Sequence, residues 1–151
     1  MAQKAVNFDP TQLYVKWIKS PLMFVREVIQ VVPTRQQEEA LNAVGELVVS
    51  KIHLFRGETL TDKEKELSKK MGISVQSGHG TGKDAGLAWL ILWFLSCFPM
   101  SKIPCTAPTS HQLSDVLWAE LARWWRVLKE RVPAIGNRFE WTADEFRMRD
   151  A

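Results

Sequence analysis

Residues 74–90 read SVQSGHGTGKDAGLAWL, a β-prone run followed by glycines and then by an apolar stretch. The first residues predict a strand, Gly78, Gly80 and Gly82 predict a tight turn, and a helix is expected over 83–98. Such a turn exposes backbone N–H groups, and the helix that follows adds the positive end of its dipole. The stretch therefore predicts a phosphate-binding loop.

This loop departs at two positions from the pattern G-x-x-x-x-G-K-[ST] of phosphate-binding loops. Ser77 replaces the first glycine, and a small residue still permits the turn. Lys83 follows the last glycine, where its ammonium reaches the β- and γ-phosphates of a nucleotide. Asp84 replaces the hydroxyl that binds Mg²⁺; a carboxylate is also an oxygen ligand, but it adds negative charge beside the triphosphate. The alternative is a glycine-rich turn that carries an exposed lysine and binds nothing.

Around the loop, the pattern alternates helices and strands. That order predicts an α/β fold, a parallel sheet with right-handed crossovers and extra N-terminal helices. The N-terminal part is predicted to form two short helices over 11–30 broken near Pro21, an amphipathic helix over 34–53 with a Thr34–Gln37 capping box, and a short helix from Thr61 to Gly72. Strands are predicted at 73–77 and 102–108, and a hairpin around Ala143 and Asp144. A helix is predicted over 109–132, and its inner face would carry Leu113, Val116, Leu117, Leu121, Trp124 and Leu128.

Composition is that of an ordinary globular domain of 151 residues with a formal net charge of +3. Cys97 and Cys105 lack the spacing of a zinc site or a disulfide framework, so we expect reduced thiols and an intracellular protein. The most apolar run, 85–98, is too short to span a bilayer and predicts a buried helix. Most of the seven tryptophans are expected in the core.

Three segments together resemble one family, the ATPase domain of the large terminase subunit of tailed bacteriophages. SGHGTGKD at 77–84 is similar to that family's variant Walker A loop, and CTAPTSHQLSDVLWAEL at 105–121 is similar to the motif after its second strand. PTRQQEEAL at 33–41 is similar to its adenine-recognising Gln motif. The resemblance covers residues 20–132 and implies a RecA-like P-loop NTPase fold, incomplete in this chain.

The resemblance assigns roles to individual residues. Gln37, with Gln36 as the fallback, would recognise adenine; the capping-box role of Gln37 is the equally weighted alternative. Lys83 would be the catalytic cation and Asp84 the Mg²⁺ ligand. The backbone of the loop would bind phosphate through Ser77, Gly78, His79, Gly80, Thr81 and Gly82, with Lys83 and Asp84 beside it, and coupling to DNA would involve Pro108, Thr109 and Gln112.

The resemblance also implies cofactors, partners and a location. ATP and Mg²⁺ would bind, and the complete motor, a homo-oligomer, would package double-stranded DNA with the terminase small subunit and the portal protein. It would act in the cytoplasm of an infected or lysogenic bacterial host, without membrane contact. The predicted parts are an N-terminal helical region (1–55), a charged connecting helix (56–72) and a partial P-loop core (73–151).

The chain offers no acidic Walker B strand, which would hold Mg²⁺ and polarise water. The acidic pair Asp144–Glu145 follows EWTA, which is not an apolar strand. Neither an arginine finger nor a nuclease carboxylate cluster is evident. We therefore expect an N-terminal piece that binds nucleotide weakly and hydrolyses it negligibly. The alternatives are a fragment of a superfamily 2 helicase or other DNA-dependent ATPase, and a non-enzymatic interaction domain that retains the fold.

Overall fold

The computed structural model describes residues 10–76, 82–98, 100–109, 113–142 and 145–149, and most of them are helical. The elements are α1 (Pro10–Lys19), α2 (Pro21–Phe24) with a π-helical turn (Val25–Ile29), α3 (Arg35–Phe55), α4 (Asp62–Ser68), α5 (Lys83–Cys97), a second π-helical turn (Leu113–Trp118) that leads into α6 (Ala119–Arg131), α7 (Pro133–Gly136), β1 (Phe139–Trp141) and β2 (Phe146–Met148).

Helix α5 is the centre of the fold. After Lys83 and Asp84 in its first turn, this 15-residue helix has apolar side chains on every face, and Trp89, Leu92 and Trp93 are buried. A helix without a polar face must be surrounded by other elements. Here α1, α3 and α6 pack against it, and one hydrophobic cluster extends from Trp17 to Phe139. The prediction of a buried helix from the apolar run is confirmed.

The predicted capped starts of two helices are also confirmed, whereas the helix predicted over 109–132 is not helical at Thr109 and is described from Leu113. Thr34 caps α3 by accepting from the Gln37 N–H, and the Gln37 side chain accepts from the Thr34 N–H, which completes the capping box. Thr61 caps α4 in the same way, with Glu64 as its partner. However, α4 ends at Ser68, before the predicted stop at Gly72.

The predicted parallel sheet is wrong. The only sheet in the described part of the chain is the antiparallel pair β1–β2, in which Glu140 lies opposite Arg147. This pair is the hairpin expected near the end of the chain. Residues 71–76 and 101–107 contain no strand, so the RecA-like α/β architecture is not present in the described residues.

The reason is that α5 packs mainly against helices and contacts the short hairpin strand β2, so no parallel sheet covers it. The β-propensity of ISVQS reflects how well its side chains pack on neighbouring strands, and no strand lies beside 71–76 to provide that packing. Ile73 and Val75 are therefore exposed. In the second predicted strand, Pro104 lacks the N–H that a central strand must donate.

The inner face predicted for the helix over 109–132 agrees with the structure except near its start. Leu117, Leu121 and Leu128 are buried, and Trp124 is half-buried, but Val116 is exposed. A π-helical turn holds more residues than an α-helical turn, so Leu113–Trp118 rotates the side chains relative to the regular 3.6-residue period. The side chain of Leu113 lies outside the described part of the structure.

The hairpin is fixed to α6 through aromatic rings. The indole Nε1 of Trp125 donates to the Gly136 carbonyl at 2.9 Å. Phe139 of β1 and Phe146 of β2 stack with ring centroids 5.0 Å apart, and the Phe146 ring also meets Trp125 edge-on at 5.3 Å. Both strands thus belong to the same core as the helices.

Helix α4 is held mainly by polar contacts, because none of its residues is buried. The His53 ring of α3 hydrogen-bonds through Nδ1 to Glu64, and its Nε2 lies 3.5 Å from Glu58. Lys63 pairs with Glu46 at 3.3 Å. The hydrogen bond from His53 lowers the pKa of Glu64 below its ordinary value of 4.5, against a smaller opposing effect of desolvation.

We expect the lowered pKa of Glu64 to make part of the stability acid-sensitive. A folded-state pKa below the unfolded value gives stabilisation that is complete above the unfolded pKa and is lost as the pH falls through the folded one. When the pH is lowered from neutral to below 4.5, the thermal midpoint of the Glu64→Gln variant should thus fall less than that of the wild type. Glu66→Gln, an exposed change on the same helix, should follow the wild type; identical curves for all three would contradict the assignment.

Neither cysteine forms a disulfide. Burial raises the pKa of the Cys97 thiol to about 12 and also raises that of Cys105. Both thiols are therefore protonated at neutral pH and poorly nucleophilic. Among the described helices, including α5, none combines the length and apolar character needed to cross a bilayer.

Candidate nucleotide site

The start of α5 is set by Gly82. This residue has a φ of 79°, in the left-handed region that favours glycine, and its carbonyl accepts the first helical hydrogen bond from the Gly86 N–H at 3.0 Å. The first N–H groups of a helix have no intrahelical acceptor, so those of Lys83 and Asp84 carry the partial positive charge of the helix end.

Gln37 connects α3 to this helix start. Its Nε2 donates to the Gly82 carbonyl at 2.9 Å, across 45 residues of sequence. Its Oε1 accepts from the Thr34 N–H at 2.9 Å, as the capping box requires. A side-chain amide has two N–H donors and two acceptor lone pairs, so one of each remains. The capping role therefore leaves Gln37 able to bind a base edge that has a donor beside an acceptor.

A cavity of about 230 Å³ lies beside this contact. This volume is below the range of roughly 300–1,000 Å³ usual for pockets that enclose a drug-sized ligand. It can thus enclose only part of a nucleotide. Apolar side chains provide much of the lining and polar ones the rest, and the lining residues are Gln36, Gln37, Ala40, Leu41, Val75, Lys83, Asp84, Gly86, Leu87 and Leu90.

Two side chains of opposite charge, Lys83 and Asp84, line the cavity. Lys83 is exposed and forms no ion pair with any residue that the structure describes. Asp84 is half-buried in the first turn of α5, where a carboxylate is stabilised by the helix dipole. The site therefore has a free cation and a helix N-terminus to attract phosphate, and a carboxylate that repels phosphate unless a cation neutralises it.

The structure brings together several of the residues that the sequence analysis selected. Gln36, Gln37, Lys83 and Asp84 all line the cavity, and Gly82 is bonded to Gln37. Pro108 and Thr109 are exposed and do not line it. The predicted loop residues Ser77, Gly78, His79, Gly80 and Thr81, together with Gln112, lie outside the described residues.

The proposed magnesium ligand Asp84 has no companions of the usual kind. In the described ranges, no three His, Cys, Asp or Glu side chains come together as a group able to hold a metal ion. A Mg²⁺ ion at Asp84 would thus need oxygen atoms from phosphate and water, which is how Mg²⁺ commonly binds beside nucleotides.

The apolar walls of the cavity were not predicted from the sequence. Ala40 and Leu41 follow Gln37 by three and four positions, so they lie on the same face of α3 as the amide, and this spacing was a signal that could have found them. On α5, Leu87 follows Lys83 by four positions and Leu90 follows Gly86 by four positions, so the same signal was present there. Val75 had no such signal, because it reaches the cavity from a segment without regular structure.

Comparison with protein-family models, with curated proteins and with solved structures gives no match to this chain.

Proposed function

We propose that this chain binds ATP beside Gln37 and Lys83, as the ATP-binding part of a phage large terminase subunit. In the complete motor, ATP hydrolysis would drive double-stranded DNA into the prohead, with the small subunit and portal protein as partners. The proposal concerns the site and does not rely on a parallel sheet.

The observation that carries the proposal is the hydrogen bond from Gln37 Nε2 to the Gly82 carbonyl. The resemblance assigns the Gln motif and the phosphate loop to one nucleotide, although they are far apart in sequence. Their contact puts an amide with one remaining donor and acceptor next to Lys83, which pairs with no carboxylate that the structure describes, and next to a helix N-terminus. These groups suit the adenine edge and the phosphates, respectively.

Each residue would have a separate task. The apolar walls, such as Leu41 and Leu90, would cover one face of the base, and Gln37 would bind its edge. Lys83 would neutralise phosphate oxygens, which is a charge-assisted interaction. Asp84 would act through Mg²⁺, because without a metal its charge opposes binding.

Titration with a fluorescent ATP analogue tests the role of Lys83. We expect Lys83→Ala to weaken binding by about ten- to hundredfold, since a hydrogen bond to a charged group contributes about 1.5–3 kcal/mol. Lys65→Ala removes an exposed lysine of α4 and is the control, with unchanged affinity expected. Equal affinities of the wild type and Lys83→Ala would contradict the proposal.

Gln37→Glu separates the adenine role from the capping role. Glutamate at this position can still accept from the Thr34 N–H and so keeps the capping box, but it cannot donate to a base or to Gly82. We expect the variant to stay folded and to lose the preference of the wild type for ATP over GTP. An unchanged preference would leave Gln37 as a cap only.

Repeating the titrations with and without Mg²⁺ tests Asp84. Asp84→Asn should strengthen binding in the absence of Mg²⁺, because a like charge is removed, and should reduce the gain that Mg²⁺ gives. If no nucleotide shifts the thermal midpoint in either condition, the non-enzymatic interaction domain is the better interpretation. Robust turnover that Lys83→Ala abolishes would contradict our expectation of negligible hydrolysis.

A further inference from the structure

A second cleft lies at the other end of α5, next to the hairpin. Its volume is about 1360 Å³, and its lining includes both the segment 100–105 and the residues 145–149 of and around β2. Ile91 and Leu95 of α5 contribute to its apolar surface. No residue of the cleft lines the candidate nucleotide site.

One edge of β2 carries unpaired backbone groups at this cleft. The Thr142 N–H donates to the Glu145 carbonyl at 2.8 Å, and the Arg149 N–H donates to the Arg138 carbonyl at 2.7 Å. Every second residue from Glu145 to Arg149 therefore directs its backbone groups toward the opposite strand of the pair. In an antiparallel pair the residues between them direct their N–H and C=O groups to the opposite edge. These residues are Phe146 and Met148, and both line the cleft.

The segment 101–107 also lacks a pairing partner. Its exposure alternates between half-buried residues such as Ile103 and Cys105 and exposed residues such as Lys102 and Pro104, as in an extended chain. Apart from the Ser101 N–H, which donates to Phe98, it forms no backbone–backbone hydrogen bond with a described residue; the Ile103 carbonyl accepts from the Cys105 Sγ at 3.7 Å. Two sets of unpaired backbone groups thus border one cleft.

Two hydroxyl groups in the cleft are also unsatisfied. Ser96 on α5 is 6% exposed, and its Oγ has no hydrogen-bond partner among the residues that the structure describes; the same is true of the buried Oγ of Ser101. A buried hydroxyl without a partner costs about 1–3 kcal/mol. Both serines belong to the residues that line the cleft.

The charge at the cleft is positive. The described lining has Lys102, Arg138, Arg147 and Arg149 against one carboxylate, Glu145. Arg147 and Arg149 pair with Glu140 at 2.5 and 3.6 Å. Lys102 and Arg138 have no carboxylate partner among the described residues; the Arg138 guanidinium donates to the Tyr14 hydroxyl at 3.3 Å. These two cations favour an acidic occupant.

We propose that this cleft binds an extended, acidic segment of another polypeptide, which adds as a strand to the free edge of β2. Strand addition uses main-chain hydrogen bonds for affinity and alternate side chains for specificity. Every second side chain would contact the apolar surface that includes Ile91 and Leu95. The side chains between them would be carboxylates near Lys102 and Arg138. The inference does not depend on nucleotide binding.

An acetylated and amidated octapeptide of alternating valine and glutamate is the probe. We expect this peptide to bind the full chain. The counterpart in which lysine replaces glutamate should bind about tenfold more weakly or not at all, because its charges are repelled by those of the cleft. Methylation of alternate peptide nitrogens removes the N–H groups of one edge. One of the two possible alternate-methylated peptides should therefore lose binding. A carbonyl-labelled peptide should show the infrared shift of a paired strand on binding.

Charge variants locate the site. Lys102→Gln and Arg138→Gln should each weaken the glutamate peptide about two- to fivefold, the range of an exposed ion pair. Arg126→Gln changes an exposed arginine of α6 that does not line the cleft, so it should have no effect. Both cleft variants replace exposed side chains, so their far-ultraviolet circular dichroism should match the wild type.

Four results with the peptides would overturn the proposal. They are the absence of binding by the glutamate peptide, equal binding of the glutamate and lysine peptides, full binding of both methylated peptides, and loss of affinity in the Arg126 control equal to that in the cleft variants. Stronger binding of single-stranded DNA than of the peptide, weakened by Lys102→Gln, would assign the cleft to nucleic acid instead and would likewise overturn it.

Discussion

Replacing Trp93 with alanine is expected to lower the free energy of unfolding by about 3–5 kcal/mol, the cost of emptying a large buried site. Trp93 is 1% exposed, and its ring meets the rings of Phe94 at 5.9 Å and Phe98 at 5.7 Å. Its Nε1 donates to the Trp17 carbonyl at 2.6 Å, which links α5 to α1. Urea unfolding followed by circular dichroism measures the loss.

Two further variants separate the contributions at Trp93. Trp93→Phe keeps most of the ring volume but cannot donate to Trp17, so we expect it to cost less than alanine. Trp124→Ala removes a half-buried indole whose Nε1 bonds to the partly exposed Glu120, and its cost should also be smaller. An equal loss for Trp124→Ala and Trp93→Ala would contradict the central position of α5 in the core.

Replacing Gly82 with alanine is expected to destabilise the protein and to weaken nucleotide binding. The left-handed φ of 79° costs a residue with a Cβ about 1–2 kcal/mol. The new Cβ would also overlap the Gln37 Nε2, so the hydrogen bond between α3 and the start of α5 would be lost. That loss adds about 0.5–1.5 kcal/mol.

Gly86→Ala is the matched control, four residues along the same helix. The nearest atom to its new Cβ is the Gln37 Cγ at 4.0 Å, an ordinary contact, and no left-handed φ is required. Alanine is favoured over glycine in a helix by about 0.5–1 kcal/mol, so this variant should be more stable than the wild type. Opposite shifts of the urea midpoint are expected, and a Gly82→Ala variant as stable as the wild type would contradict the site geometry.

Features of the candidate site that depend on residues close together in the sequence were predictable, and features that depend on contacts between distant segments were not. The amide of Gln37 could be interpreted either as a cap or as a base-binding group, and its contacts with Thr34 and Gly82 are compatible with both because an amide has four hydrogen-bonding positions. The contact with Gly82 was not predictable by itself, because it joins two helices through the tertiary fold. The same holds for Val75, whose place at the cavity follows no periodic pattern.

The sequence by itself determined that α3 and α5 are helices, because their signals are contained within one segment. The Thr34–Gln37 capping box fixes the start of α3, and the apolar run of α5 requires burial whatever surrounds it. Only the tertiary structure decided what surrounds α5. A strand is stable only beside another strand, and the helices that cover α5 leave residues 71–76 unpaired. The parallel sheet predicted from the alternation of elements is therefore not found in the described residues, while Gly82 at the start of α5 still contacts Gln37.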